Sequence, residues 1–288
     1  MKQDIIILDF SGIYQEEGFY KEEQVSWVDL RGISGTNCYC DGEAQGQILD
    51  RLEKYPVSGI YFIDSGNYHY MSRIGAERMA EPFHLLVFDN HTDMQLPAFG
   101  GLLSCGGWIA SALEEVGNLR EVWLVGPDEE AYGQVEEQFK PRVHFLSREK
   151  LAEDRAKSLN GKSLNGKSRD RGVRTESGPV NTLGVLSTLL QELPTDLPLY
   201  ISIDKDVLCT EAAATTWSQG DMTLEEMLEG LSCLENHFSE KGGRILQVDI
   251  CGECDPDENM ENSRNDHANG ELLKFWKDCL KRLDGRAV

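Results

Sequence analysis

Apolar residues in this chain gather in short, nearly unbroken runs, each separated from the next by an amphipathic or polar stretch. Ile5-Ile6-Ile7-Leu8, Ile60-Tyr61-Phe62-Ile63 and Leu85-Leu86-Val87-Phe88 are apolar at every position rather than at every second one. Such runs fit strands buried on both faces of a sheet. The pattern predicts strands over 4–9, 58–64, 83–89, 120–126, 142–146, 198–204 and 244–250. Helical periodicity lies between and after them, over 43–54, 70–80, 107–116, 129–138, 182–193, 223–238 and 266–283. In the last of these, Leu272, Phe275, Trp276, Cys279, Leu280 and Leu283 share one face. Strands alternating with helices predict an α/β protein, a three-layer α/β/α sandwich around a mostly parallel central sheet.

The stretch 155–178 breaks the alternation. It holds a repeated pentamer, Ser158-Leu159-Asn160-Gly161-Lys162 and Ser163-Leu164-Asn165-Gly166-Lys167, and continues through Arg169, Arg171 and Arg174. A basic, Gly/Ser/Asn-rich segment in an acidic chain is expected to be a flexible surface insert. Nothing else resembles a linker, so residues 1–288 are expected to form a single domain.

A formal charge of −22 and a pI near 4.6 repel phosphate backbones and anionic lipid, so neither nucleic acid nor membrane is an expected partner. No run of about 18 apolar residues is present to span a bilayer. Met1-Lys2-Gln3-Asp4 leads straight into a first strand too short for a signal-peptide core. Eight cysteines without such a signal point to a reducing, cytoplasmic setting rather than to a disulfide framework.

Chemistry concentrates where three apolar runs end. His69 follows the run at 58–64, Asp89, His91 and Asp93 follow the run at 83–88, and Asp204 and Asp206 close the run at 198–204. The carboxyl ends of strands are where α/β sheets place their ligands. In extended backbone, residues 89, 91 and 93 would point the same way, as would 204 and 206, with Lys205 on the opposite face. A single aspartate after a strand is usually a cap or a loop former. Two alternating strips and a histidine instead make a mixed oxygen and nitrogen donor set suited to a pair of Mn-like divalent ions. Burying that many carboxylates without a cation would be prohibitive.

These segments resemble the metal-dependent ureohydrolases, the family of arginase, agmatinase and formimidoylglutamase. The family's Asp-x-His-x-Asp pattern matches Asp89, His91 and Asp93, its Ser-x-Asp-x-Asp pattern matches Ser202, Asp204 and Asp206, and its isolated histidine corresponds to His69. The resemblance implies an arginase-like fold. It also implies two Mn2+ ions, one on His69, Asp89, Asp93 and Asp204, the other on His91, Asp89, Asp204 and Asp206. A shared hydroxide would attack a small cationic amidine or guanidine, with Asp93 orienting it, and relatives are often oligomers. Asp249-Ile250-Cys251-Gly252-Glu253 resembles the last-strand segment whose glutamate grips the guanidinium, which assigns that task to Glu253. The shuttle histidine of arginase-like enzymes has no counterpart, because no histidine occurs between His91 and His144. Cys105 or Ser104 stands in that stretch in its place, and Cys105 is expected as a catalytic residue lining the pocket. Two other readings stay open: a single-zinc amide hydrolase of the deacetylase kind, and a non-catalytic metal-binding relative that acts by association.

Overall fold

The computed structural model describes residues 4–96, 101–165, 184–254 and 263–284. Ten strands lie among them: β1 (Ile5–Asp9), β2 (Val25–Asp29), β3 (Tyr39–Cys40), β4 (Gly59–Ser65), β5 (Phe83–Phe88), β6 (Leu103–Ser104), β7 (Leu119–Val125), β8 (Val143–Leu146), β9 (Leu199–Asp204) and β10 (Ile245–Glu253). Eight of these form one sheet in the order β2-β1-β4-β10-β9-β5-β7-β8, and every pairing is parallel. The short strands β3 and β6 pair antiparallel beside it. The helices are α1 (Gly42–Leu52), α2 (Met71–Glu77), α3 (Trp108–Glu115), α4 (Glu129–Gly133), α5 (Arg148–Asn165), α6 (Val185–Gln191), α7 (Leu224–Lys241) and α8 (Ser263–Asp284).

Two hydrophobic cores flank the sheet, and the strands feed them alternately. Ile6, Leu8, Tyr61, Ile63, Leu85 and Val87 pack with the apolar faces of α1, α2 and α3. Ile5, Ile7, Ile60, Phe62, Leu86 and Phe88 pack with those of α6, α7 and α8. This is why the strand sequences are apolar throughout: both faces are covered. The result is the expected three-layer α/β/α sandwich.

Three expectations change. Strand β2 went unread because an edge strand of mixed composition, Val25-Ser26-Trp27-Val28-Asp29, lacks the unbroken apolar signature. Strand β10 runs on to Glu253 rather than stopping at 250, pairing with β4 as far as Ser65. The basic stretch expected as a flexible loop from 155 is helical in its first part, since α5 extends to Asn165. Arg155 pairs there with Asp221 and Glu226, tying the helix to the start of α7. Residues 166–178 of that stretch lie outside the described residues.

Candidate metal centre

The four central strands β4, β10, β9 and β5 end side by side, so the segments after β4 and β5 meet the end of β9. Beyond β4 a tight turn at Gly66–Tyr68 delivers His69 just before α2. Beyond β5 the chain leaves extended conformation. Asp89 turns on itself, its Oδ1 accepting the His91 amide at 2.7 Å, and Asp93 adopts a left-handed φ of 47°. Asp204 repeats the device by accepting the Asp206 amide at 2.9 Å. The strips therefore converge through carboxylate-capped turns, not through the strand alternation the sequence implied. These turns need Asp, which closes them through its own carboxylate and tolerates positive φ better than most residues.

The six candidate ligands do come together. His69 Nδ1 lies 3.2 Å from Asp89 Oδ2, 3.1 Å from Asp93 Oδ2 and 3.4 Å from Asp204 Oδ2. His91 Nδ1 lies 2.8 Å from Asp206 Oδ2 and 3.5 Å from Asp89 Oδ1. Two sets of donor atoms have metal-binding proximity, His69–Asp89–Asp204 and Asp89–His91–Asp206, each within 4.8 Å and with Asp89 common to both. Asp89 Oδ2 is buried with no hydrogen-bond partner. Burial and mutual repulsion hold Asp204 and Asp206 above the ordinary carboxylate range and push Asp93 up to about 7. Burial opposes charge on the imidazoles, yet the surrounding carboxylates outweigh it and both pKa values are raised, His91 to about 12. The cluster thus demands positive charge, and its oxygen and nitrogen donors suit divalent cations.

Behind the cluster a buried relay fixes the His69 ring. Its Nε2 lies 2.9 Å from Ser202 Oγ, which lies 3.0 Å from Ser72 Oγ, whose hydroxyl donates to Asp249 Oδ2 at 3.0 Å. Tyr200 and Gln247 also donate to Asp249. Such partners orient a ligating imidazole and select which nitrogen faces the ion. The indole of Trp108 at the start of α3 donates to Asp93 Oδ2 at 2.7 Å. Nothing in the sequence marks Trp108, Ser72 or Asp249 as site residues. Only the i−2 spacing of Ser202 from Asp204 signalled any of this relay.

Glu253 is not brought to the pocket. It is fully buried, its carboxylate ion-paired with Lys205 and accepting from Asn269 at 2.8 Å. Asn269 also donates to Glu17 at 2.9 Å, and burial and the charge of Glu253 raise the Glu17 pKa to about 9. Glu17 Oε1, Glu253 Oε2 and the Tyr14 hydroxyl are buried without partners in this neighbourhood, which does not line the pocket. The β10 residue that faces the ligands is Gly252, at φ +91°, where a Cβ would come within 2.3 Å of Asp204 Oδ1. The expected guanidinium-gripping acid is thus one position out of phase and turned away.

The pocket over the cluster has a volume of about 150 Å³. Besides the ligands it is lined by Tyr39, Gln95, Ser104, Cys105 and Trp217 among others. Cys105, expected as a catalytic residue, lines this pocket, where burial and then the charge of Asp93 raise its thiol and disfavour the thiolate.

No family model matches the chain. An uncharacterised protein of Thermotoga maritima is 28% identical over 269 residues, covering 93% of this chain and 88% of that protein. Among solved structures, proclavaminate amidino hydrolase from Streptomyces clavuligerus superposes with a TM-score of 0.60 at 14% identity, covering 98% of this chain and 93% of that one. Formimidoylglutamase from Bacillus subtilis gives 0.60 at 13%, over 96% and 87%. Arginase from Bacillus caldovelox gives 0.59 at 12%, over 97% and 98%. This chain has the three-layer arginase-like fold.

Proposed function

We propose that the chain is a diverged ureohydrolase-type enzyme, a metal-dependent hydrolase that cleaves the C–N bond of a linear amidine or guanidine. The observation that carries this reading is the pair of donor sets sharing Asp89 at the floor of a pocket. One ion would be held by His69, Asp89, Asp93 and Asp204, the other by His91, Asp89, Asp204 and Asp206. Bound there, two Mn2+ ions would supply Lewis acidity and an activated water near neutral pH.

The chain's own groups do the positioning. The Trp108 indole holds Asp93, whose carboxylate would orient the attacking water. The Ser202–Ser72–Asp249 relay holds the His69 ring, while Cys105 and Gln95 bound the space for the substrate head. The Asp89–His91–Asp206 set would also serve one ion alone, so metal stoichiometry separates this reading from that of a single-zinc amide hydrolase. The test is metal analysis of protein grown with excess manganese, followed by assay against arginine, agmatine, guanidinobutyrate, guanidinopropionate and formimidoylglutamate. Protein without bound divalent metal would sink the proposal. Full metal with no turnover of any amidine would favour a non-catalytic relative.

A further inference from the structure

We infer that the pocket selects substrates whose far end is uncharged and apolar or aromatic, seated on a rim made by Tyr39 and Trp217. This rests on the hydrolase reading above and narrows its substrate class.

Among the described residues the exposed large hydrophobics are Tyr39 (41%), Leu96 (49%) and Trp217 (40%). Two of the three, Tyr39 and Trp217, line the pocket itself. Single exposed apolar residues need no explanation, but a group of them around one concave site marks a binding surface.

Trp217 is fixed rather than loose. Its indole donates to Asn67 Oδ1 at 3.0 Å, and its ring stands edge-on to His91 with centroids 6.0 Å apart. At Gly66 a Cβ would lie 2.8 Å from Trp217 Cδ1, so glycine there makes room for the indole. An aromatic wall held in place while still exposed is ready for a ligand without further ordering.

Size and charge point the same way. A volume of 150 Å³ accommodates a benzene-sized group, so the remainder of any longer substrate must leave across the rim. The lining side chains other than the six candidate ligands include no lysine, arginine, aspartate or glutamate among the described residues. Gly252 occupies the β10 position facing the ligands, so that strand presents no acid to a cationic group. Among the described lining residues other than the candidate ligands a charged tail would find no partner, whereas an aryl or alkyl tail would cover exposed rings.

The test uses manganese-loaded full-length protein and guanidines that share a head and differ in the tail: phenylethylguanidine, butylguanidine, agmatine and guanidinobutyrate. The expected result is a KM about 10-fold lower for the phenylethyl compound than for either charged one, at similar kcat. Trp217→Ala and Tyr39→Ala should each raise that KM several-fold and leave kcat little changed, with Trp217→Phe restoring most of the loss. Lower KM values for the charged tails would overturn the inference. So would alanine variants that alter sedimentation without altering KM, because the rim would then be a contact between copies. Calorimetric binding of phenylethylguanidine keeps the two proposals separate. If no guanidine is turned over, the hydrolase reading fails, while a Kd weakened several-fold in Trp217→Ala still supports the rim and an unchanged Kd refutes it.

Discussion

Two buried acidic clusters meet at the segment Asp204-Lys205-Asp206, and they are built on opposite plans. On one side Asp89, Asp93, Asp204 and Asp206 surround two imidazoles beneath an open pocket, with no lysine or arginine among the described lining residues. On the other, Glu253 is paired with Lys205, bridged through Asn269 to Glu17, and sealed from solvent. The second cluster carries its own ammonium, so its negative charge is answered within the chain. The first leaves its charge to be answered from outside. Buried acid alone therefore does not mark a functional site here. What marks the candidate site is an excess of acid over its two imidazoles, with no lysine or arginine among the described lining residues, next to a cavity.

If that contrast is right, substitutions in the two clusters should have different readouts. Asp204→Asn should release at least half of the bound manganese and lower activity by ~10³-fold or more, since on the proposed reading this carboxylate would hold both ions. Metal content determined after gel filtration checks it, and full retention would break the contrast. Lys205→Met should leave metal content close to normal but destabilise the fold by about 3–5 kcal/mol, because Glu253 would remain as a buried unpaired charge. Adding Glu253→Gln should recover part of that loss in denaturant titration. Metal depletion in Lys205→Met with unchanged stability would mean that the two clusters are one.

Two smaller effects sharpen the picture. Ser202→Ala removes the partner of His69 Nε2 and should weaken manganese binding by ~10- to 100-fold, measured by competition with a metallochromic chelator. An affinity equal to wild type would show that Ser202 has no part in orienting the ring. Glu17→Gln should act through pH alone. The folded protein holds this proton up to about 9, whereas an ordinary glutamate releases it near 4.5. The contribution of this group to stability is thus complete below pH 4.5 and is lost as pH rises toward 9. Glutamine has no proton to lose, so the variant should gain on the order of 1–2 kcal/mol over wild type between pH 5 and 8. Parallel stability curves for the two proteins would exclude a retained proton.

Much of the site was legible because its chemistry is local. Asp89 to Asp93 and Asp204 to Asp206 are short segments that close their own turns, so residue type and spacing carry the signal. The wrong assignment, Glu253, came from a single-residue offset. Neighbouring positions on a strand face opposite sides, so a one-residue slip moves a side chain from pocket to core. Here that slip exchanged an acid for Gly252 at the ligands. Trp108 was unreadable for another reason: its bond to Asp93 joins a helix start to a loop, and an apolar residue on a helix gives no hint of which polar atom its indole meets.

The sequence by itself determined the architecture and named the six candidate ligands. Strands covered on both faces must be apolar throughout, and helices packed on one side must show a stripe, so α/β layering is written into composition along the chain. Only the tertiary structure decided which acids share a cavity, which are neutralised by Lys205, and which rings are left exposed at the mouth. Those outcomes depend on strand order and side-chain phase, and β10 lies between β4 and β9 although it comes last of the ten described strands. Proximity of that kind is a sum over long-range contacts, and no local pattern of residues encodes it.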